Sequence, residues 1–160
     1  MTVRIRRATH EDLSRATRML STAGLPITDL LAEHLAFVAV DEERVVGVIG
    51  FESYGRVGLL RSLVVAEDAR VAGVGRRLVA SLEAAAREQG LDELWLLTID
   101  ADRYFARLGY ETRDRKDAPE AIRETAEFSG LCPGDAALMS KLLGGGQSPF
   151  REVTVTFGER

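Results

Sequence analysis

The sequence has few cysteines and histidines, the residues that form disulfides and the commonest zinc sites. Its one cysteine, Cys132, cannot form a disulfide within the chain, and its two histidines, His10 and His34, lack the spacing of a zinc site. We therefore expect no metal and a reducing compartment, the cytoplasm. The longest apolar runs, 35–40 and 45–51, are far shorter than the roughly 20 residues that cross a bilayer. The N-terminal segment lacks the apolar stretch of a secretory signal, so we expect neither export nor membrane insertion.

The charged residues are nearly balanced, with a small acidic excess. Lys and Arg number 21 and Asp and Glu number 25, which gives a net charge of −4. A chain with this balance is poorly suited to bind nucleic acid or an anionic membrane without sequence preference, so we expect neither as a partner. The expected partner is a small molecule.

The length and composition fit one domain. A chain of 160 residues with 46% hydrophobic residues can build a core of its own. The one stretch that resembles a linker is Gly-rich and lies at 144–149. We therefore predict a single domain at 1–143, followed by a linker and tail at 144–160. Apolar residues alternate at 153–157 as in a strand. Such a strand could add to a sheet edge of the same chain or of a second copy, so the sequence is compatible with a homodimer.

Hydrophobic periodicity and turn residues predict the order of the secondary structure. Alternating or short continuous apolar runs predict strands, whereas apolar residues at i, i+3, i+4 and i+7 predict helices. Gly24, Gly90 and Gly109 stand where helices end, because glycine favours the left-handed conformation of that position. The resulting order of elements predicts the α/β (α+β) class. The predicted strands are 3–6, 35–40, 44–53, 57–66, 94–98, 110–113 and 136–143, and the predicted helices are 13–23, 76–89, 101–108 and 120–126.

The segment 63–77 has the pattern of an anion-binding loop between a strand and a helix. Gly73 and Gly75 allow backbone N–H groups to approach a phosphate, and the helix that follows directs its unpaired N–H groups to the same point. Arg76 and Arg77 occupy the first turn, which the helix dipole disfavours by roughly 0.3–1 kcal/mol each unless an anion is bound. The spacing fits neither the dinucleotide fingerprint nor the P-loop. The alternative interpretation is a glycine turn with solvated arginines.

Two motifs carry a resemblance to a known family. Arg70-Val71-Ala72-Gly73-Val74-Gly75 resembles the R/Q-x-x-G-x-G/A loop of the GNAT superfamily of N-acetyltransferases, and Leu63-Val64-Val65 resembles the strand before that loop. Tyr104-Phe105-Ala106-Arg107-Leu108-Gly109-Tyr110 is similar to the aromatic-x-basic-Leu-Gly-aromatic signature of the same superfamily. With the order of elements, the resemblance covers most of residues 2–143.

The resemblance implies a fold and a cosubstrate. The expected fold is a GNAT-like single domain, a central mixed and mostly antiparallel sheet flanked by helices. The expected cosubstrate is acetyl-coenzyme A (acetyl-CoA), with pantetheine paired to the 63–65 backbone and the pyrophosphate held by loop N–H groups. The implied cofactor-binding residues are Leu63, Val64, Val65, Arg70, Val71, Ala72, Gly73, Val74, Gly75, Arg76, Thr98 and Phe105.

The chain departs from the superfamily at two positions. Thr98 stands where the superfamily often has Asn, and Phe105 stands where it often has a Tyr that protonates the departing thiolate. Tyr104 is one position away on the helix surface and is the substitute that we assign as the catalytic acid. The alternative is that the thiolate leaves without a proton from the protein, since a strand N–H can polarise the tetrahedral intermediate.

A narrower resemblance covers three segments. Residues 58–65, 105–110 and 128–133 resemble the arsenic-resistance N-acetyltransferase branch.

Glu52 is the candidate base that takes a proton from the acceptor ammonium, directly or through one water. If 55–56 forms a two-residue hairpin turn, Glu52 faces Leu59 and shares a sheet face with Arg61 and Leu63. Arg61 could then bind a substrate carboxylate or oxyanion. The alternative is a cross-strand salt bridge between Glu52 and Arg61 without a chemical role.

These features predict an N-acetyltransferase that moves acetyl directly from acetyl-CoA to the primary amine of a small molecule. An anionic amino acid, or its arsenic or phosphorus analogue, is the first acceptor to test. The alternatives are a non-catalytic acyl-CoA sensor and an acetyltransferase of protein N-termini or lysines. With Arg61, the residues assigned to the acceptor pocket are Ser62, Pro26, Ser129 and Cys132, although a lone cysteine is more often a small buried apolar residue.

Overall fold

The structure is a computed structural model that describes residues 2–25, 27–126, 128–129 and 136–144. Its strands are β1 (Val3–Arg7), β2 (Leu35–Asp41), β3 (Arg44–Tyr54), β4 (Val57–Val65), β5 (Glu93–Thr98), β6 (Glu111–Arg113) and β7 (Ala137–Leu142). Its helices are α1 (Leu13–Thr22), α2 (Val74–Glu88), α3 (Asp102–Arg107) and α4 (Glu120–Arg123). The strands form one sheet in the order β1-β2-β3-β4-β5-β7-β6. Every neighbouring pair is antiparallel except β4 and β5, so the predicted mixed sheet is confirmed.

Helices cover both faces of the sheet. The apolar faces of α2 and α3 pack on one face, where Leu78, Leu82 and Phe105 are buried. Helix α1 packs on the other face through Leu20, and α4 packs on that same face through Ile122. Within the described residues, no helix is long and apolar enough to cross a membrane.

The β3–β4 hairpin has the predicted register. Tyr54 pairs with Val57, and Glu52 pairs with Leu59. Gly55 in the turn has φ +68°, a left-handed conformation that costs glycine little. The two-residue turn therefore fixed which residues face each other across the hairpin, as the sequence indicated.

A β-bulge in β4 changes the face to which later side chains point. Ile49 of β3 lies opposite two residues of β4, Ser62 and Leu63, and Ser62 has φ +61°. The extra residue reverses the alternation of side chains beyond it. Leu59 accordingly packs on the α4 side, whereas Leu63 packs on the α2 side. The prediction that Leu63 shares a face with Glu52 is therefore wrong.

Strands β4 and β5 separate part-way along their length. They pair in parallel only where Val57–Leu59 meets Glu93–Trp95. Beyond Leu59, β4 continues to Val65 without a strand partner on that edge among the described residues, while β5 continues against β7. The separation opens a cleft in the middle of the sheet and leaves backbone groups of β4 available within it.

Candidate active site

The cleft between β4 and β5 is the principal cavity of the site. It encloses about 530 Å³, and residues of β4, β5, α3 and the start of α2 line it. Seven of the predicted cofactor-binding residues lie on its wall: Leu63, Val64, Val65, Arg70, Gly75, Thr98 and Phe105. The other five, Val71, Ala72, Gly73, Val74 and Arg76, lie in the connection from β4 to α2 and in the first turn of α2. The structure thus places the predicted loop at one end of the cleft.

The loop at this end has the features of an anion site. A 3-10 helix at Glu67–Ala72 leads to Gly73, whose φ of +70° turns the chain into α2. The first helical hydrogen bond runs from Arg77 N–H to the Gly73 carbonyl, so the N–H groups before Arg77 are free of intrahelical acceptors. The first turn holds no acidic residue and exposes Arg76. Arg70 donates from Nε to the Val65 carbonyl at 3.1 Å, which fastens the loop to the end of β4.

Helix α3 forms the wall opposite the loop. The Phe105 ring is buried and contacts Tyr104 and Tyr110 edge-on, with ring centres 5.3 Å and 5.7 Å away. The Tyr104 hydroxyl lies so close to Gly75 that a Cβ atom at Gly75 would overlap it. Thr98 Oγ1 accepts a hydrogen bond from the Ala101 N–H at 3.0 Å, which fixes the turn before α3.

A buried ionic cluster lies at the other end of the cleft, centred on Arg61. The Arg61 side chain is 0% exposed, and its guanidinium donates to both carboxylate oxygens of Asp29 at 2.7 Å. It also donates to Glu52 Oε2 at 2.5 Å and, through Nε, to Ser62 Oγ at 3.1 Å. The Tyr54 hydroxyl donates to the second Glu52 oxygen. One guanidinium thus contacts the carboxylates of both Asp29 and Glu52.

The cluster shifts the titration of two of its members. Hydrogen bonds from Arg61 lower the pKa of the Asp29 carboxyl below its ordinary value. Burial, and then the hydrogen bond to Glu52, raises the pKa of the Tyr54 phenol well above its ordinary value. Near neutral pH, Asp29 is therefore ionised and Tyr54 is a proton donor.

The polypeptide after β6 covers the sheet beside the cluster. Ala118 and Ile122 are buried against Leu59, Trp95 and Leu138, and Phe128 and Tyr54 pack at the margin. This cover closes the α4 side of β5.

Of the other predicted acceptor residues, the structure describes Ser129. Ser129 is exposed and donates from Oγ to the Thr125 carbonyl at 2.8 Å. Pro26, Cys132 and the predicted tail strand at 153–157 lie outside the described residues. The described part of the chain holds no group of three or more His, Cys, Asp or Glu that could hold a metal ion.

Sequence reasoning missed two members of the ionic cluster, Asp29 and Tyr54. Tyr54 follows Glu52 by two residues on one strand, so the two-residue period of a strand could have placed it on the same face. Asp29 lies in the irregular segment between α1 and β2, 32 positions from Arg61. No local pattern connects residues at that separation.

Comparison with known proteins decides the family. The profile of the acetyltransferase (GNAT) family matches residues 6–110. The chain belongs to the GNAT acetyltransferase family. It is also 31% identical over 116 residues to an uncharacterised N-acetyltransferase of Chlorobaculum tepidum, an alignment that covers 69% of this chain and 74% of that protein. This GNAT chain is therefore an acetyl-CoA-dependent N-acetyltransferase.

Solved structures show that the fold is that of other GNAT proteins. N-acetylglutamate synthase from Neisseria gonorrhoeae, complexed with coenzyme A and N-acetyl-glutamate, superposes with a TM-score of 0.76 at 20% identity. That match covers 89% of this chain but 35% of the synthase, so the chain spans about a third of it. Rv2747 from Mycobacterium tuberculosis, in complex with CoA, superposes with a TM-score of 0.73 at 20% identity and covers 87% of this chain and 98% of that one.

Proposed function

We propose that this GNAT acetyltransferase moves acetyl directly from acetyl-CoA to the primary amine of a small molecule, with Glu52 as the base. The observation that carries the proposal is the ionic cluster of Asp29, Glu52 and Arg61 at one end of the cleft, opposite the anion-binding loop. A carboxylate beside the acyl end can accept the proton that an ammonium must lose before it attacks.

The cleft is suited to coenzyme A along its whole length. Beyond Leu59, β4 no longer pairs with β5, so its backbone on that edge can pair with the amides of pantetheine, as a neighbouring strand would. At the loop end, the N-terminus of α2 and Arg76 can hold the pyrophosphate. The synthase and Rv2747 were both solved with coenzyme A, which supports the same cosubstrate here.

The chemical step divides between the cluster and the strand. Acetyl-CoA supplies a thioester, whose carbonyl carbon the neutral amine attacks; the C–S bond then breaks and coenzyme A leaves as the thiolate. Glu52 takes the proton of the ammonium, directly or through one water, and passes it to solvent. Backbone N–H groups of β4 near the bulge at Ser62 can polarise the carbonyl oxygen. The attacking nitrogen loses its second proton as the amide forms, and a water protonates the thiolate, so the products are an acetamide and the thiol.

Arg61 has a positioning role in this scheme. Its guanidinium is held by Asp29 and Glu52, so an acceptor carboxylate would need to take the place of one of them. The carboxylates of Asp29 and Glu52 attract an ammonium more than an anion. Neutral amino acids and simple amines are therefore the first acceptors to test, and the anionic amino acids and their arsenic or phosphorus analogues predicted from the sequence form the comparison set.

The cover formed by the segment after β6 favours a small acceptor. Ile122 and Ala118 close the sheet beside Leu59, on the face that also carries Glu52. A protein N-terminus or lysine would need open access at this point.

The cytoplasmic location, the homodimer and the arsenic-resistance branch stay predictions.

The test is thiol release from acetyl-CoA with a panel of amines, comparing wild type with Glu52→Gln. We expect kcat to fall about 100-fold, since general-base catalysis contributes 10²–10⁴. Glu43→Gln is the matched control, because Glu43 is an exposed turn residue that does not line the cleft. An unchanged kcat in Glu52→Gln would overturn the assignment of the base.

Two further outcomes separate the alternatives. Coenzyme A binding without thiol release on any amine would favour the non-catalytic sensor. Acetylation confined to proteins of a lysate, read by mass spectrometry, would favour a protein acetyltransferase.

A further inference from the structure

The Tyr104 hydroxyl is placed against the first turn of α2. A Cβ atom at Gly75 would overlap the Tyr104 oxygen and would come within 3.7 Å of the Val65 side chain. Glycine at this position therefore makes the space that the phenol occupies. Tyr104 and Gly75 both line the cleft, so the hydroxyl lies on its wall beside the N-terminus of α2.

This position is far from the acceptor end of the cleft. Val65 lies beside Tyr104 and Gly75, whereas Arg61, which holds Glu52, is four residues earlier on β4. At about 3.3 Å per residue of strand, four residues span roughly 13 Å. The bulge at Ser62, where the thioester carbonyl is proposed to lie, is three residues from Val65, or roughly 10 Å of strand. A phenol beside Val65 does not reach a thiolate that leaves at the bulge, because proton transfer needs hydrogen-bond contact.

Burial and two positive charges act on the Tyr104 hydroxyl. The positive charges of Arg76 and Arg107 both act on the Tyr104 phenol. Burial outweighs them and raises its pKa, so the hydroxyl keeps its proton near neutral pH and remains a donor. Among the described residues the hydroxyl has no hydrogen-bond partner, although it is partly buried. An anion bound at this point would supply the missing acceptor.

We propose that the Tyr104 hydroxyl donates a hydrogen bond to a phosphate of coenzyme A, and that it is not the acid that protonates the leaving thiolate. This inference rests on the proposed function, because it takes coenzyme A as the ligand of the cleft. It changes the role of the phenol next in sequence to Phe105, the position where the superfamily often has its acid, and it makes Tyr104 a determinant of cofactor binding.

The first test compares two thioesters in the variant Tyr104→Phe. Acetyl-CoA carries the phosphates, whereas S-acetyl-pantetheine lacks them. We expect the KM for acetyl-CoA to rise about tenfold, the effect of losing one hydrogen bond to a charged group, with kcat within twofold of wild type. With S-acetyl-pantetheine, kcat/KM should not change. An acid role would instead lower kcat with both thioesters, and that result would overturn the proposal.

The second test uses the contact with Gly75. In Gly75→Ala, the added methyl group displaces the Tyr104 hydroxyl, so the dissociation constant of coenzyme A should rise by about tenfold in calorimetry. In the double variant with Tyr104→Phe, the nearest remaining ring atom is Cζ at 3.4 Å, an ordinary contact. The double variant should therefore bind no more weakly than Tyr104→Phe alone. Additive losses would contradict a shared role for the two positions.

Tyr110→Phe is the matched control for loss of a phenol. Tyr110 is buried outside the cleft and donates to Glu83 at 2.9 Å. We expect it to lower the melting temperature without raising the dissociation constant of coenzyme A. If wild type binds coenzyme A but acetylates no amine, the proposed function fails while calorimetry still decides the role of Tyr104. If wild type is active and Tyr104→Phe binds coenzyme A normally, the inference fails alone.

Discussion

Removal of the Arg61 guanidinium is the sharpest test of the ionic cluster. The side chain is 0% exposed, and Glu52, whose side chain is 10% exposed, depends on it for charge compensation. Arg61→Met keeps much of the apolar volume but leaves the carboxylates of Asp29 and Glu52 facing each other without a cation. Loss of one partner of a buried pair costs about 3–5 kcal/mol. For a chain of this size, that predicts a fall in melting temperature of roughly 6–20 °C.

The same reasoning predicts how the contribution of Asp29 to the stability of the fold depends on pH. The pKa of Asp29 is lowered in the folded state because Arg61 donates two hydrogen bonds to it. A carboxyl group with a lowered pKa stabilises the fold fully above its unfolded pKa, about 3.9, and loses that contribution as pH falls through the folded value. The stability difference between wild type and Asp29→Asn should therefore be constant from pH 5 to 7 and should narrow below about pH 4.

Urea unfolding followed by circular dichroism measures both effects. The triple variant Arg61→Met, Asp29→Asn, Glu52→Gln removes every charge of the cluster, so it should recover much of the stability that Arg61→Met loses. An unchanged urea midpoint in Arg61→Met would show that the cluster does not hold the acceptor end together. If the triple variant is as unstable as Arg61→Met, the lost stability comes from packing and not from uncompensated charge.

Two core substitutions test the layers that enclose the cleft. In Gly58→Ala, the new Cβ would overlap the Phe51 ring and lie 2.8 Å from Leu91 Cδ2, so we expect a loss of about 1–3 kcal/mol in urea unfolding. In Ile122→Ala, a fully buried side chain of α4 is lost, and the expected cost is about 2–5 kcal/mol. A loss under about 0.5 kcal/mol in either variant would contradict the packing described for that face.

The elements that the sequence predicted well are those set by short-range rules. Apolar spacing located α2, and a two-residue turn at Gly55 determined that Glu52 faces Leu59. The bulge at Ser62 has no comparable signal, because serine rarely adopts φ +61° and nothing in the neighbouring residues marks an extra residue. Asp29 reaches Arg61 only through the tertiary fold, so its role followed from the structure alone.

The bulge explains how one strand serves both substrates. In a regular strand, residues 59, 61, 63 and 65 would all point to one face. The extra residue at Ser62 instead leaves Arg61 on the side of Glu52 and Asp29, while Leu63 and Val65 turn to the side of α2 and the loop. The same irregularity lies just beyond the point where β4 and β5 cease to pair. A single inserted residue therefore separates the ionic cluster from the loop side along one strand. In the proposed function, these two sides bind the acceptor and the cofactor, and the acetyl group is transferred at the bulge between them.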